Sequence, residues 1–404
     1  MSGTIDLQWE PIEVSYGIPR KDRVPFRYEA FLPDRIAALN PLLPARVLAA
    51  VEDAIGAVAE LESSEYITDL EPIAPLLLRA ESVASSRIEG LLLSHRRLEE
   101  ATFAPKAAKS LAREIVRNIE AMRVAVQLGA SDEAITLDSL LEIHRTLLHT
   151  DRDARIAGVL RTTQNWIGGS EFSPRGADFI PPPPSYVPDL MDDLLAFVNR
   201  DDLSAIVQAA VAHAQFETIH PFADGNGRTG RCLIHVILRR RGVVKRVVPP
   251  ISVVLAANSS RYIAGLSSCR RDEIDPWISV FAEATAASAR QAQDLAREIA
   301  ELQADWLRRA GRPRKGSTAR GLVEGLVAHP LVSVSSASEV LGVSEEAARQ
   351  ALNQLAERGV VTQLTVGKRN RAWAAEEVFD LLDGFDMELG ERGADAEEGR
   401  DLIR

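Results

Sequence analysis

From Leu43 to about residue 305, apolar side chains recur at intervals of three and four, and β-branched alternation is almost absent until the far C-terminus. Residues 43–62 show the pattern, with Val47, Val51, Ile55, Val58 and Leu61 on one stripe. The same spacing predicts helices over 71–93, 105–128, 136–149, 186–199 and 202–219, and residues 288–309 read as a long polar helix. A chain patterned this way folds as a mainly α protein. Its 404 residues are enough for about two to three domains.

Two stretches interrupt the helices. Residues 158–184 carry Trp166-Ile167-Gly168-Gly169 and a proline run from Pro181 to Pro184, which predicts a short hairpin followed by a stiff extended segment. The second is His220-Pro221-Phe222-Ala223-Asp224-Gly225-Asn226-Gly227-Arg228-Thr229-Gly230-Arg231. Pro221 and the glycines forbid an unbroken helix, so the prediction is helix, tight loop, helix. The loop's backbone N–H groups then sit at the positive end of the second helix, a favourable place for phosphate. Gly225 and Gly227 let the backbone approach an anion closely. Arg228 and Arg231, three apart on the first turn, both face it. Asp224 is the one carboxylate in a positive nest, which suits Mg²⁺ beside phosphates. His220, with an ordinary pKa near ~6.5, can accept a proton at neutral pH. Each feature alone is commonplace, but all of them within twelve residues describe phosphoryl-type transfer.

The segment from His220 to Arg231 resembles, position for position, the Fic motif H-P-F-x-D-G-N-G-R-x-x-R. The likeness extends over about 110–285. Gly158, Arg161 and Trp166-Ile167-Gly168-Gly169 resemble that family's target-docking flap, and Phe179 to Pro183 the segment after it. The resemblance implies a Fic helical core with a small β-hairpin flap. It implies ATP as cosubstrate and a protein target, the chain itself among the candidates, whose Tyr, Thr or Ser hydroxyl receives AMP. His220 would be the base and Asp224 the Mg²⁺ ligand. Gly225, Asn226 and Gly227 would line the anion hole, with Gly230 beside them, and Arg228 and Arg231 would grip the outer phosphates. Glycine at 227, where the relative called Doc has lysine, favours adenylylation over kinase chemistry. Other nucleotide donors, removal of AMP, and a nucleotide-sensing DNA-binding regulator are the alternatives.

Ser85-Ser86-Arg87-Ile88-Glu89-Gly90 resembles the family's inhibitory motif, on a helix expected over 75–93. Ser85 and Glu89, four apart, share a helix face. The resemblance implies that Glu89 binds Arg231 and holds ATP in an unreactive pose, with Ser85 and Gly90 completing the motif. In the flap, Ile167 either clamps the target or packs in the core. Asn258 and Tyr262 either touch the adenosine or are surface polar residues. Arg239 to Arg241 are expected to complement a helix dipole and face water.

The chain divides into an N-terminal arm and helical region (1–105), a catalytic core (106–290), a helix and linker (291–316), a unit at 317–383 and an acidic tail (384–404), expected to be disordered. The arm, broken by Pro11, Pro19, Pro25 and Pro33, reads as extended and packed on a larger body. In the 317–383 unit, helices at 318–328, 335–341 and 345–358 precede strands at 360–366 and 369–374, a winged helix-turn-helix order. Six basic residues against nine acidic make DNA binding there the less favoured reading. Dimerisation or target docking is the other, and a homodimer is expected. The net charge of −11 argues against a nucleic-acid coat. No apolar run approaches the roughly 18 residues of a membrane span, and no signal peptide is recognisable, so a cytoplasmic location is expected. Only Cys232 and Cys269 are present, which excludes a disulfide framework or cysteine zinc site.

Overall fold

The computed structural model describes residues 2–11, 18–69, 73–105, 108–149, 153–366 and 370–386. Strands β1 (Gly3–Trp9) and β2 (Phe26–Leu32) come first. Helices follow in the order α1 (Ala45–Ser63), α2 (Glu65–Asp69), α3 (Ile73–Ile88), α4 (His95–Phe103), α5 (Ser110–Gly129), α6 (Leu137–Leu147), α7 (Val187–Val198), α8 (Ala205–Ile219), α9 (Asn226–Arg240), α10 (Ile251–Ala257), α11 (Ser259–Cys269) and α12 (Ile274–Arg309). The C-terminal part holds α13 (Thr318–Gly325), β3 (Leu331–Val332), α14 (Val334–Leu341), α15 (Glu345–Glu357), β4 (Thr362–Val366) and β5 (Asn370–Ala374), then a helical run over 376–386. The protein is thus mainly helical, with two small antiparallel sheets among the described residues. Among the described residues no helix is long and apolar enough to cross a membrane.

The chain forms two compact units, each gathered from three stretches. The first comprises Met1–Val51, Val124–Arg241 and Arg261–Ala282. Its centre is α8, buried along its whole length, which explains why its sequence is apolar nearly all round rather than striped. Small residues at Ala209, Ala210, Ala212 and Ala214 keep this helix slim, and α9 packs beside it. At Gly230 an added Cβ would lie 2.7 Å from Glu217 Oε1 and 3.0 Å from Phe216 Cδ1, so the two helices approach as only glycine permits. Trp277, fully buried, donates its indole N–H to the Ala210 carbonyl at 2.7 Å and packs against Tyr262 and Phe281.

Arg241 departs from the expectation that it faces water. It donates to the carbonyls of Asp201 and Leu203 and to Gln208 Oε1, pinning the α7–α8 connection, because those carbonyls have no helical partner. The N-terminal arm is a seven-residue antiparallel hairpin, paired from Gly3↔Leu32 to Trp9↔Phe26. Alternation at Ile5, Leu7 and Trp9 carries it, and Pro25 lies just outside β2. The segment after β2 is held by Asp193, whose carboxylate accepts from the Ile36 and Ala37 N–H groups at 2.6 and 3.3 Å.

The second unit comprises Glu52–Arg123, Gly242–Ser260 and Glu283–Arg404. Its buried cluster joins Val83 of α3, Leu98 of α4, and Ile115 and Ile119 of α5. Glu81, fully buried on α3, accepts from the backbone N–H and the hydroxyl of Ser252 and so caps the first turn of α10. Helix α3 stops at Ile88, not 93. Gly90 takes φ 77°, its N–H bonds the Arg87 carbonyl and the Leu91 N–H bonds the Ser86 carbonyl, a Schellman closure that places Glu89 at the cap.

In the C-terminal module, β3, β5 and β4 pair in that order, with Thr362↔Ala374 to Val366↔Asn370 in the hairpin. Ser333 and Ser344 cap α14 and α15. Its core of Leu331, Val366, Ala372, Ala374 and Phe379 includes Ala104 from the end of α4. Lys368 and Arg369 of the expected wing turn, and 387–404 of the expected tail, lie outside the described residues.

Candidate active site

The loop begins where α8 ends. His220 closes that helix in the left-handed region, at φ 50° and ψ 60°, and its N–H still bonds the Phe216 carbonyl at 2.9 Å. Pro221 then turns the chain away. The end carbonyls of α8 go to Arg161, whose Nε donates to the His220 carbonyl at 2.8 Å and whose Nη2 donates to that of Ile219 at 3.3 Å. The Arg161 backbone N–H donates to the Pro221 carbonyl at 2.9 Å. A buried guanidinium at the negative end of a helix is a strong cap. Burial lowers its pKa to about 10, which leaves it charged at neutral pH. Asn165 adds a clamp, its amide donating to the carbonyls of His220 and Phe222 at 3.3 and 3.0 Å.

Phe222 anchors the middle of the loop. Its fully buried ring stacks on His144 of α6, with centroids 3.7 Å apart and planes within 6°. The Gly158 N–H donates to His144 Nδ1 at 2.9 Å, so Nδ1 carries no proton and Nε2–H donates to the Asp224 carbonyl at 2.9 Å. Burial pushes the His144 pKa down to about 4, consistent with this neutral tautomer.

Asn226 is the second anchor. Its Oδ1 accepts from the Phe222 N–H at 2.8 Å and its Nδ2 donates to the Phe222 carbonyl at 2.9 Å. Its side chain therefore shapes the loop, leaving its backbone N–H for an anion. Gly225, at φ 75°, is the N-cap of α9, and a Cβ there would crowd Leu147 at 3.1 Å. The first-turn N–H groups of Asn226, Gly227 and Arg228 have no partner within a helix.

The charged groups divide by exposure. The Asp224 carboxylate is 65% exposed, with Oδ1 accepting from the Gly225 N–H at 2.6 Å and lying 3.9 Å from Arg228 Nη2. The Arg228 side chain is only 7% exposed and Arg231 is fully buried. His220 is 18% exposed, and its Nδ1 lies 3.8 Å from Glu217 Oε2. Gly230 serves the α8–α9 contact described above. An exposed carboxylate beside a helix N-terminus fits Mg²⁺, which takes few protein oxygens and completes its shell from phosphate and water. Among the described residues no group of three or more His, Cys, Asp or Glu forms an all-protein metal cage.

The flap residues lie in the same unit. Ile167 exchanges backbone hydrogen bonds with Phe179 and accepts another from the Asp178 N–H at 2.8 Å, a single bridge in place of two full strands. Gly168 and Gly169 both take φ 73°, and a Cβ on Gly169 would meet the Gly176 backbone at 2.6 Å. Trp166 donates to the Ser170 carbonyl at 2.7 Å and meets Trp9 of β1 edge-on at 5.5 Å. The Phe31 N–H of β2 donates to the Ile180 carbonyl at 2.9 Å. Tyr262 is buried with its hydroxyl 2.8 Å from His213 Nε2, which makes it a core residue. Asn258 caps α10 in the second unit, where Ser85 is buried and Glu89 exposed. Sequence reasoning missed His144, Asn165 and Glu217. Only a histidine on the apolar face of α6, beside Leu140, Ile143 and Leu147, hints at the first.

A helix–loop–helix that presents an imidazole, an exposed carboxylate and the open start of a helix defines an anion-handling site. Residues 134–238 match the Fic/DOC family model and residues 48–127 that of the Fic/DOC family N-terminal region. Over these two stretches the chain is similar to the Fic/DOC family. It is 29% identical over 264 residues to protein adenylyltransferase fic-1 of Caenorhabditis briggsae, covering 62% of this chain and 48% of that protein. With a probable protein adenylyltransferase of Aquifex aeolicus it shares 28% identity over 214 residues, covering 51% and 59%. The chain thus spans about half the length of these curated relatives. In fold it is similar to a Fic family protein from Desulfovibrio desulfuricans, with a TM-score of 0.55, 21% identity and 83% and 97% of the two chains covered. A Fic domain containing signaling protein from Bacteroides thetaiotaomicron matches with a TM-score of 0.51 and 20% identity, covering 62% and 97%.

Proposed function

We propose that this protein is an adenylyltransferase that moves AMP from ATP to a Tyr, Thr or Ser hydroxyl of a protein target, itself included. The observation that carries this reading is the loop geometry: His220 in a left-handed turn at the end of α8, six residues before α9 begins with its N–H groups open. The relatives that carry the name protein adenylyltransferase support it.

In the proposed reaction His220 takes the proton of the target hydroxyl. The hydroxyl oxygen forms a bond to the α-phosphorus as the bond from that phosphorus to the bridging oxygen breaks, and pyrophosphate leaves with the electron pair. Glu217, at 3.8 Å from Nδ1, favours the imidazolium that results. Backbone N–H groups of Asn226 and Gly227 hold phosphate oxygens, and Arg228 and Arg231 neutralise the departing charge. Asp224 would hold Mg²⁺, which supplies charge neutralisation on the phosphates. The flap, with Trp166 and Ile167, would align an extended target segment by strand addition. Glu89 is proposed as an inhibitory residue. The motif match supports it, as does the Schellman turn that fixes Glu89 at the end of α3.

Mass spectrometry after incubation with Mg²⁺ and each nucleoside triphosphate tests the reading. A mass gain of one AMP is expected with ATP, absent in His220→Ala and larger in Glu89→Gly. Equal labelling of wild type and His220→Ala would sink it.

A further inference from the structure

Arg87 lies two residues before Glu89, and its own carbonyl accepts the Gly90 N–H in the turn that ends α3. Its guanidinium reaches Asp386 on the helical run over 376–386, Nη2 to Oδ2 at 2.5 Å. The same carboxylate oxygen lies 3.2 Å from His95 Nε2, at the first residue of α4. This knot is enclosed: the His95 side chain is 1% exposed and that of Asp386 7%. Burial alone would raise the Asp386 carboxyl pKa, yet His95 and Arg87 together hold it below the ordinary carboxylate value, so the group stays anionic.

Two neighbouring pairs extend the connection. Arg96 of α4 bonds Glu376 on the same C-terminal run at 2.9 Å. Arg79 of α3 pairs with Glu99 of α4, both largely buried. Helices α3 and α4 and the C-terminal run are therefore joined by ion pairs, and all of them belong to the second unit. The run in turn packs Phe379 into the core of the C-terminal module, and its Glu377 accepts from the Trp306 indole of α12 at 2.8 Å.

We infer that Asp386 is a positioning residue for the turn that carries Glu89, and that the C-terminal module thereby sets how firmly the brake is held. The inference rests on the inhibitory reading of Glu89. A buried, doubly bonded carboxylate resists displacement because Asp386 and His95, both enclosed, would be left without a partner, although the Arg87 side chain is 34% exposed. The Asp386 pair restrains the side chain of the residue whose carbonyl closes the Gly90 turn, and so favours that turn over its open alternatives. Anything that shifts the C-terminal run, such as a macromolecule seated on the module, then loosens Glu89 without touching the catalytic loop. This gives the C-terminal module a regulatory role independent of DNA binding.

The test uses the full chain and two readouts: amide hydrogen exchange at Gly90 and Leu91, and AMP incorporation from ATP with Mg²⁺. Asp386→Asn should speed exchange at both amides and raise incorporation by about fivefold or more, the scale of a modest coupling between sites. Asp386→Glu should restore much of the wild-type behaviour. In a Glu89→Gly background, Asp386→Asn should add nothing to incorporation, because the brake it positions is gone. Unchanged exchange in Asp386→Asn overturns the positioning role. A gain that persists undiminished on Glu89→Gly overturns the route through the brake. No gain from Glu89→Gly alone overturns the inhibitory reading and the control role with it, while exchange still reports the turn. Should Asp386→Asn fold poorly by circular dichroism, Arg87→Gln removes the same pair from the other side and is read identically.

Discussion

His144 is the residue on which the loop leans most. One face of its ring stacks on Phe222, one nitrogen accepts from the Gly158 N–H and the other donates to the Asp224 carbonyl. His144→Ala leaves a cavity, a buried Gly158 N–H and a part-buried Asp224 carbonyl without their partner, so a loss of about 3 kcal/mol is expected. Urea unfolding measures it, and a loss under 1 kcal/mol would refute this role. None of this is legible around His220 itself, because the partners lie 55 to 80 positions upstream of the loop residues they hold. What is legible is the candidate set from His220 to Arg231, whose groups are neighbours in sequence because one turn and one helix start present them together. Asn226 shows the limit within that set: its amide is occupied by Phe222, a use that spacing alone does not reveal.

At the scale of elements, apolar periodicity located α1, α6, α7 and α8 to within a few residues, since burial of one stripe is what forms them, but it began α5 at 105 rather than Ser110 and α12 at 288 rather than Ile274. It overran the end of α3 because Leu91 to Leu93 continue the apolar pattern while Gly90 reverses the backbone. It missed the β1–β2 hairpin because prolines at 11, 19 and 25 mask two short alternating runs. The α8–α9 contact makes a sharper prediction. Gly230→Ala drives a methyl against Glu217, Phe216 and His213, and overpacking of this kind costs about 1–3 kcal/mol. A thermal melt should show the loss, together with lower AMP incorporation, because Glu217 faces the His220 imidazole. An unchanged melting temperature would mean that the two helices part freely.

For the molecule as a whole, acid should destabilise the fold well before its carboxylates protonate. Burial depresses His144 to about 4 and His213 to about 3, so both imidazoles are neutral in the native protein. Unfolded, each titrates near ~6.5. Below that pH the unfolded chain binds more protons, so stability is complete above it and falls as pH drops towards 4, by about 1.4 kcal/mol per pH unit for each histidine. Urea midpoints at pH 7.5, 6 and 5 should decline, and His144→Gln should flatten the decline; a level series would refute it. The clamp on the His220 carbonyl has a wider consequence. Arg161 and Asn165 hold the loop from another part of the chain, with His144 beneath it. The twelve-residue signature is therefore not a portable cassette: grafted onto a foreign pair of helices it would keep its lettering and lose its shape.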